Sequence, residues 1–162
     1  MFTTLPAQQP FLWALITCLI AAIAEGLASG TRVRAVLAEL RMPGLAPPFW
    51  VWTLIGVAYY VLFFFLISSL LSTQPTIPLT EIGVALTAIL MVLNAGWNWV
   101  FFRRKSLRLS FLLFMPYLAC ALLLALVLHR LGNPFFVWYL LYLFYLLWAT
   151  WWGCRVWRLN PN

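Results

Sequence analysis

Five long apolar stretches dominate the chain, over about residues 10–29, 49–72, 81–102, 108–129 and 134–157. A helix needs about 20 mostly apolar residues to cross a bilayer, and each stretch is that long. The apolar residues run on continuously, without the period-two alternation of a membrane β-barrel. Helices are therefore expected throughout. The breaks are distinct. "RMPGLAPP" carries three prolines and a glycine, "STQPTIPLT" two prolines, "RRKSLR" is cationic, and "HRLGNP" holds a Gly-Asn-Pro turn signal. The pattern predicts an all-α integral membrane protein: a bundle of five transmembrane helices with a long first loop, forming one domain over residues 1–162.

The first loop, "TRVRAVLAELRMPGLAPP", has its own periodicity. Val33, Val36, Leu37 and Leu40 recur at helical spacing, with Arg34, Glu39 and Arg41 elsewhere. A short amphipathic helix ended by Pro43 is expected, either as a lid over a site or as a surface-lying connector.

Composition agrees with the class. The chain is 65% hydrophobic and 8% charged, against about 25% charged in a soluble domain. Its mean hydropathy is +0.99. The first ten residues hold no Lys or Arg, so a cleavable signal peptide is not expected. Cys18, Cys120 and Cys154 lie far apart in apolar surroundings and read as small buried hydrophobes. The net charge of +7 is distributed by topology. Arg32, Arg34, Arg41, Arg103, Arg104, Lys105, Arg108, Arg155 and Arg158 fall on one side of a five-span chain, and Arg130 alone on the other. The positive-inside rule then predicts a multi-pass protein of a bacterial inner membrane, N-terminus outside and C-terminus cytoplasmic. Nucleic acid is not an expected partner, because the cations flank the spans and form no separate basic domain.

Polar residues within the spans are costly, about 2–7 kcal/mol for an unpaired amide. Leu90, Asn94, Trp97, Asn98 and Phe101 share one helical face in the third span. Asn94 either bonds a neighbouring helix or is a polar anchor in an aromatic-lined pocket. Stripes of aromatic and small residues recur in the second span (Trp52, Gly56, Tyr60, then Phe63 or Phe64) and the fifth (Trp138, Tyr142, Tyr145, Ala149, Trp152). They read as packing seams or as walls suited to a flat hydrophobic ligand. Glu25 is the one acid well inside a span. It is expected to reach the interface, to pair with an arginine such as Arg32, or to serve a function. Ala22, Gly26 and Gly30 form a small-xxx-small pattern that favours close helix contact and is compatible with a homodimer. The one histidine, His129, has no acid or cysteine partner nearby in sequence. No catalytic set and no metal-binding cluster is expected.

These motifs resemble the tryptophan-rich sensory protein, or translocator protein, family (TspO/MBR). "LNAGWNWVFF" is similar to the family's L-N-x-x-W-S-x-x-F-F in the third helix, "PPFW" to the opening of its second, and "VWRLN" to its terminal I-W-x-L-N. Tyr60, Tyr142 with Leu143, and Ala149 fall on further family positions. The chain departs elsewhere. Val36-Leu37 replaces W-Y, Leu45 and Gly56 stand at tryptophan positions, Leu90 at a glutamine, Leu141 at a proline, Tyr145 at a tryptophan and Gly153 at an asparagine.

The resemblance implies a pocket among the helices for porphyrins, haem-like tetrapyrroles, sterols or other flat hydrophobic molecules. No cofactor is required, and a bound tetrapyrrole is the expected occupant. The expected ligand contacts are Pro47, Pro48, Trp50, Trp52, Tyr60, Asn94, Trp97, Asn98, Phe101, Tyr142, Tyr145, Trp148 and Ala149. Light-dependent porphyrin breakdown in some members is attributed to the tryptophans replaced here by Leu45 and Tyr145, so a sensor, carrier or regulator is expected, not an enzyme. A structural or pigment-associated subunit of a larger membrane complex is the alternative.

Overall fold

The computed structural model describes residues 9–44, 46–73 and 78–161. Five long helices are present, each long and apolar enough to span a bilayer: α1 (Gln9–Ser29), α3 (Phe49–Ser72), α4 (Pro78–Asn98, extended by a π-helical turn over Trp99–Arg103), α5 (Leu107–Arg130) and α6 (Phe136–Leu159). A short helix, α2 (Val33–Glu39), lies in the first loop. The third span starts at Pro78, slightly before the expected 81. A proline fits the first helical turn because no partner exists there for its missing N–H.

Local chemistry explains the ends. Gly30 takes φ +73°, the left-handed conformation that terminates α1. Arg103 then donates from Nε to Ala28 O at 3.2 Å and from Nη2 to Leu27 O at 2.7 Å, satisfying carbonyls that α1 leaves unpaired. An added Cβ at Gly30 would lie 3.3 Å from Arg103 Nε, so close approach also favours glycine. The loop helix stops at Glu39, before the expected Pro43. Leu40 turns extended there, and the next residue is held from afar: Arg41 N donates to Asn160 Oδ1 at 2.9 Å, and Asn160 Nδ2 to Arg41 O at 3.0 Å. This clasp ties the first loop to the end of α6.

The spans form a ring. α1 packs on α3 and α4, α4 on α5, and α5 on α6; α3 and α6 complete the ring with only slight contact. Large apolar side chains such as Val92 (71% exposed) and Phe144 (68% exposed) cover the outside, as expected of a surface facing lipid. Burial of apolar area cannot draw helices together in such a solvent, so close packing must. Gly83 does this for α4, where an added Cβ would lie 3.0 Å from Leu70 and 3.4 Å from Val127. Gly153 does it for α6, where a Cβ would lie 3.1 Å from Phe114. Gly26, by contrast, faces open space: an added Cβ there would meet no atom within 4 Å.

Two buried clusters result. One, around Phe63, Leu66, Leu90, Leu124 and Tyr139, fills the end distant from the arginines. The other, around Phe101, Leu107, Trp152 and Val156, lies at the arginine-rich end beneath α2. Cys18 and Cys120 are buried apolar residues as expected, while Cys154 is half-buried.

Candidate functional site

Between the two clusters lies a cavity of about 260 Å³. Its polar floor is built from α1, α3 and α4. Asn94 and Asn98 stand one turn apart on α4 and face α1. Asn94 Nδ2 donates to Glu25 Oε2 at 2.8 Å, and Asn98 Nδ2 to Glu25 Oε1 at 3.0 Å. Tyr60 Oη on α3 donates to Glu25 Oε2 at 2.6 Å. Ser29 Oγ donates to Asn98 Oδ1 at 3.0 Å or to Glu25 O at 2.9 Å. One carboxylate thus joins three spans.

This corrects the expectation for Glu25. Arg32 is not its partner; Lys105–Glu39, at 2.6 Å on the exposed surface, is the one ion pair among the described residues. It also closes the question posed by Asn94, which does bond a neighbouring helix and also lines the cavity.

The walls are aromatic. Trp52 on α3 lies 4.9 Å from Trp152 on α6, between ring centroids, and Trp97 stacks on Phe101 at 4.9 Å. Phe102 joins the wall because the π-helical turn after Asn98 adds a residue per turn and keeps Phe101 and Phe102 both on the cavity side. Tyr117 of α5 and Tyr142 of α6 meet hydroxyl to hydroxyl at 2.5 Å. Val33 and Leu37 of α2 close the arginine-rich end, which makes the loop helix a lid. Three wall residues carry buried polar atoms with no protein partner: Tyr59 Oη, Trp97 Nε1 and Trp152 Nε1.

Two further hollows adjoin the cavity. One of about 420 Å³ lies under the first loop and shares Leu37, Phe49, Trp52 and Trp152 with it. The other, about 510 Å³, is an apolar groove on the outer surface between α3 and α6, and shares Ile55, Tyr59, Tyr142 and Tyr145.

Of the residues expected from sequence, Trp52, Asn94, Trp97, Asn98, Phe101, Tyr142, Tyr145 and Ala149 line the cavity. Tyr60 stands behind the floor, holding Glu25. On α3 the inward stripe is Trp52, Gly56 and Tyr59, one residue off the expected Tyr60, because Glu25 draws Tyr60 toward α1. Trp148 backs the wall, 5.8 Å from Trp52. Pro47 lines the hollow under the loop. Pro48 caps α3 from an exposed position and Trp50 is 63% exposed, so neither faces the cavity. Trp138, 62% exposed, leaves the α6 stripe and lines the outer groove. Leu45 lies outside the described residues. The sequence did not mark Tyr59, Thr53, Ser29 or Tyr117 as part of this site, since nothing in their local pattern separates them from packing residues.

Fold and cavity together define a helical, multi-pass membrane protein with an aromatic-walled chamber over a hydrogen-bonded carboxylate. The TspO/MBR family model matches residues 14–158, and the chain belongs to that family. No curated protein sequence matches the chain significantly.

Proposed function

We propose that the protein binds a flat, hydrophobic ligand of the tetrapyrrole or sterol-like class between its helices, beneath the first loop, as a sensor, carrier or regulator. The observation that carries this reading is the chamber between the helices, with three indoles on its walls and an amide–carboxylate floor. Binding sites for small molecules are commonly about 300–1,000 Å³, mostly apolar, with a few placed polar groups. The chamber alone falls just below that range, and the hollow sharing its loop-side wall gives a larger ring room to extend under α2. The groove between α3 and α6 offers a hydrophobic molecule a route from the bilayer. In this reading the arginine-rich end faces the cytoplasm, following the positive-inside bias.

The test is titration of the purified protein with protoporphyrin, followed by tryptophan quenching. Asn94→Ala is expected to weaken binding at least tenfold. Affinity within about twofold of wild type, roughly 0.4 kcal/mol, for both Asn94→Ala and Tyr60→Ala would remove the ligand from this chamber. The outer groove, lined by Phe65, Phe135 and Trp138, gives a pigment-associated subunit a specific surface. A coloured, non-exchanging pigment in mildly extracted protein would favour that alternative.

A further inference from the structure

Glu25 is the feature that the aromatic walls do not explain. A packing role needs no charge in a membrane span, where an acid is costly. A carboxylate offers about four acceptor sites. Oε2 receives Tyr60 Oη and Asn94 Nδ2, while Oε1 receives only Asn98 Nδ2. One acceptor site on Oε1 therefore remains, on a residue that lines the cavity. No Lys, Arg or His pairs with this carboxylate among the described residues. Its hydrogen-bond partners are all neutral donors, which orient it without forming an ion pair. The first loop supplies a cation on the other side of the shared wall. Arg34 lines the hollow under the loop, its guanidinium 4.5 Å from the Phe49 ring centroid.

We propose that Glu25 is the specificity-determining residue of this chamber, selecting flat aromatic ligands that present a cationic or N–H donor edge toward α1. The inference rests on the binding reading above and adds its polarity. A donor edge completes the acceptor capacity of Oε1, and a cation also supplies the missing counter-charge. A carboxylate placed there meets like charge in a setting of low dielectric. Acidic substituents of a larger ligand therefore point away from Glu25, toward the loop and Arg34.

The probes are three tricyclic dyes of one shape: 9-aminoacridine (a cation at neutral pH), 9-methylacridine (neutral) and acridine-9-carboxylate (an anion). Binding is followed by dye fluorescence in uncharged detergent, against empty micelles. Wild type is expected to bind the amine at least tenfold more tightly than the carboxylate. Glu25→Gln, nearly isosteric, is expected to weaken the amine at least tenfold, leave the neutral dye within twofold and not weaken the carboxylate. Glu25→Asp keeps the charge and is expected to retain the preference for the amine. Equal affinity for amine and carboxylate in wild type, or an unchanged ratio in Glu25→Gln, overturns the role of Glu25 and leaves the chamber as a binding site. Failure of wild type to bind any of the three overturns the role of Glu25, while the protoporphyrin titration decides separately whether the chamber binds a ligand. Should Glu25→Gln not fold, the wild-type ranking decides the matter alone.

Discussion

Gly56 stands on the inward stripe of α3, where the family usually has a tryptophan. An added Cβ at this glycine meets no atom within 4 Å. The space it faces is the cavity itself. Two substitutions therefore separate. Gly56→Ala adds one methyl group to open space and removes a helix-interior glycine, a gain of about 0.5–1 kcal/mol. That corresponds to a rise in Tm of roughly 1–4 °C for a chain of this size, with ligand affinity within twofold. Gly56→Trp places the largest side chain, which buries about 150–250 Å², into a chamber of about 260 Å³. It is expected to weaken porphyrin binding at least tenfold, about 1.4 kcal/mol, without lowering Tm. Gly153→Ala is the contrast. Its Cβ would lie 3.1 Å from Phe114 Cε2, on a rigid ring, so overpacking of about 1–3 kcal/mol is expected. Calorimetric titration in detergent, alongside thermal melts, reads both quantities. Wild-type affinity in a folded Gly56→Trp protein would refute the placement of the ligand and the claim that this space is available to it.

Tyr117→Phe is expected to cost about 1–3 kcal/mol by stranding the buried Tyr142 hydroxyl. The double change to Phe at 117 and 142 should recover most of that loss, and strictly additive melts would refute the pairing. Asn160→Ala removes both hydrogen bonds to Arg41. Amide exchange is expected to accelerate over residues 33–48 and to stay unchanged in α5; an unaltered first loop would contradict the clasp. Bound porphyrin is expected to bleach in light and air no faster than free porphyrin. The indole N–H groups of Trp97 and Trp152 have no acceptor to take a proton on oxidation, and Tyr145 makes no hydrogen bond among the described residues. Rapid bleaching, abolished by Trp148→Phe or Trp152→Phe, would refute this.

The spans were legible because lipid imposes length and continuous apolarity on each one separately. Expected and observed limits agree closely for α1 and α3, whose boundaries are set by glycine, proline and charge within a few residues. The loop helix was legible from Val33, Val36 and Leu37. Its end was not, because Arg41 answers to Asn160, 119 residues away. The inward face of α4 was also readable, since Asn94 and Asn98 at a spacing of four in an apolar helix leave only one side on which both can be satisfied. The faces of α3 and α6 were less so. Both helices are aromatic all round, and periodicity does not distinguish Trp138, which faces outward, from Tyr142, which faces inward.

Glu25 shows where local pattern stops and partner geometry begins. From its neighbours alone, an acid one turn from a helix end beside Arg32 has an obvious surface solution. The folded chain takes another, because α1 packs between α3 and α4 and turns position 25 toward Tyr60, Asn94 and Asn98. Those partners lie 35, 69 and 73 residues away. Arg103, the nearest candidate cation on α4, is instead engaged by the carbonyls of Leu27 and Ala28. Arg103 thus caps α1, and the hydrogen bonds to Glu25 come from neutral donors. The capping of α1 and the neutral donor set around its acid both follow from the packing of α1 against α4.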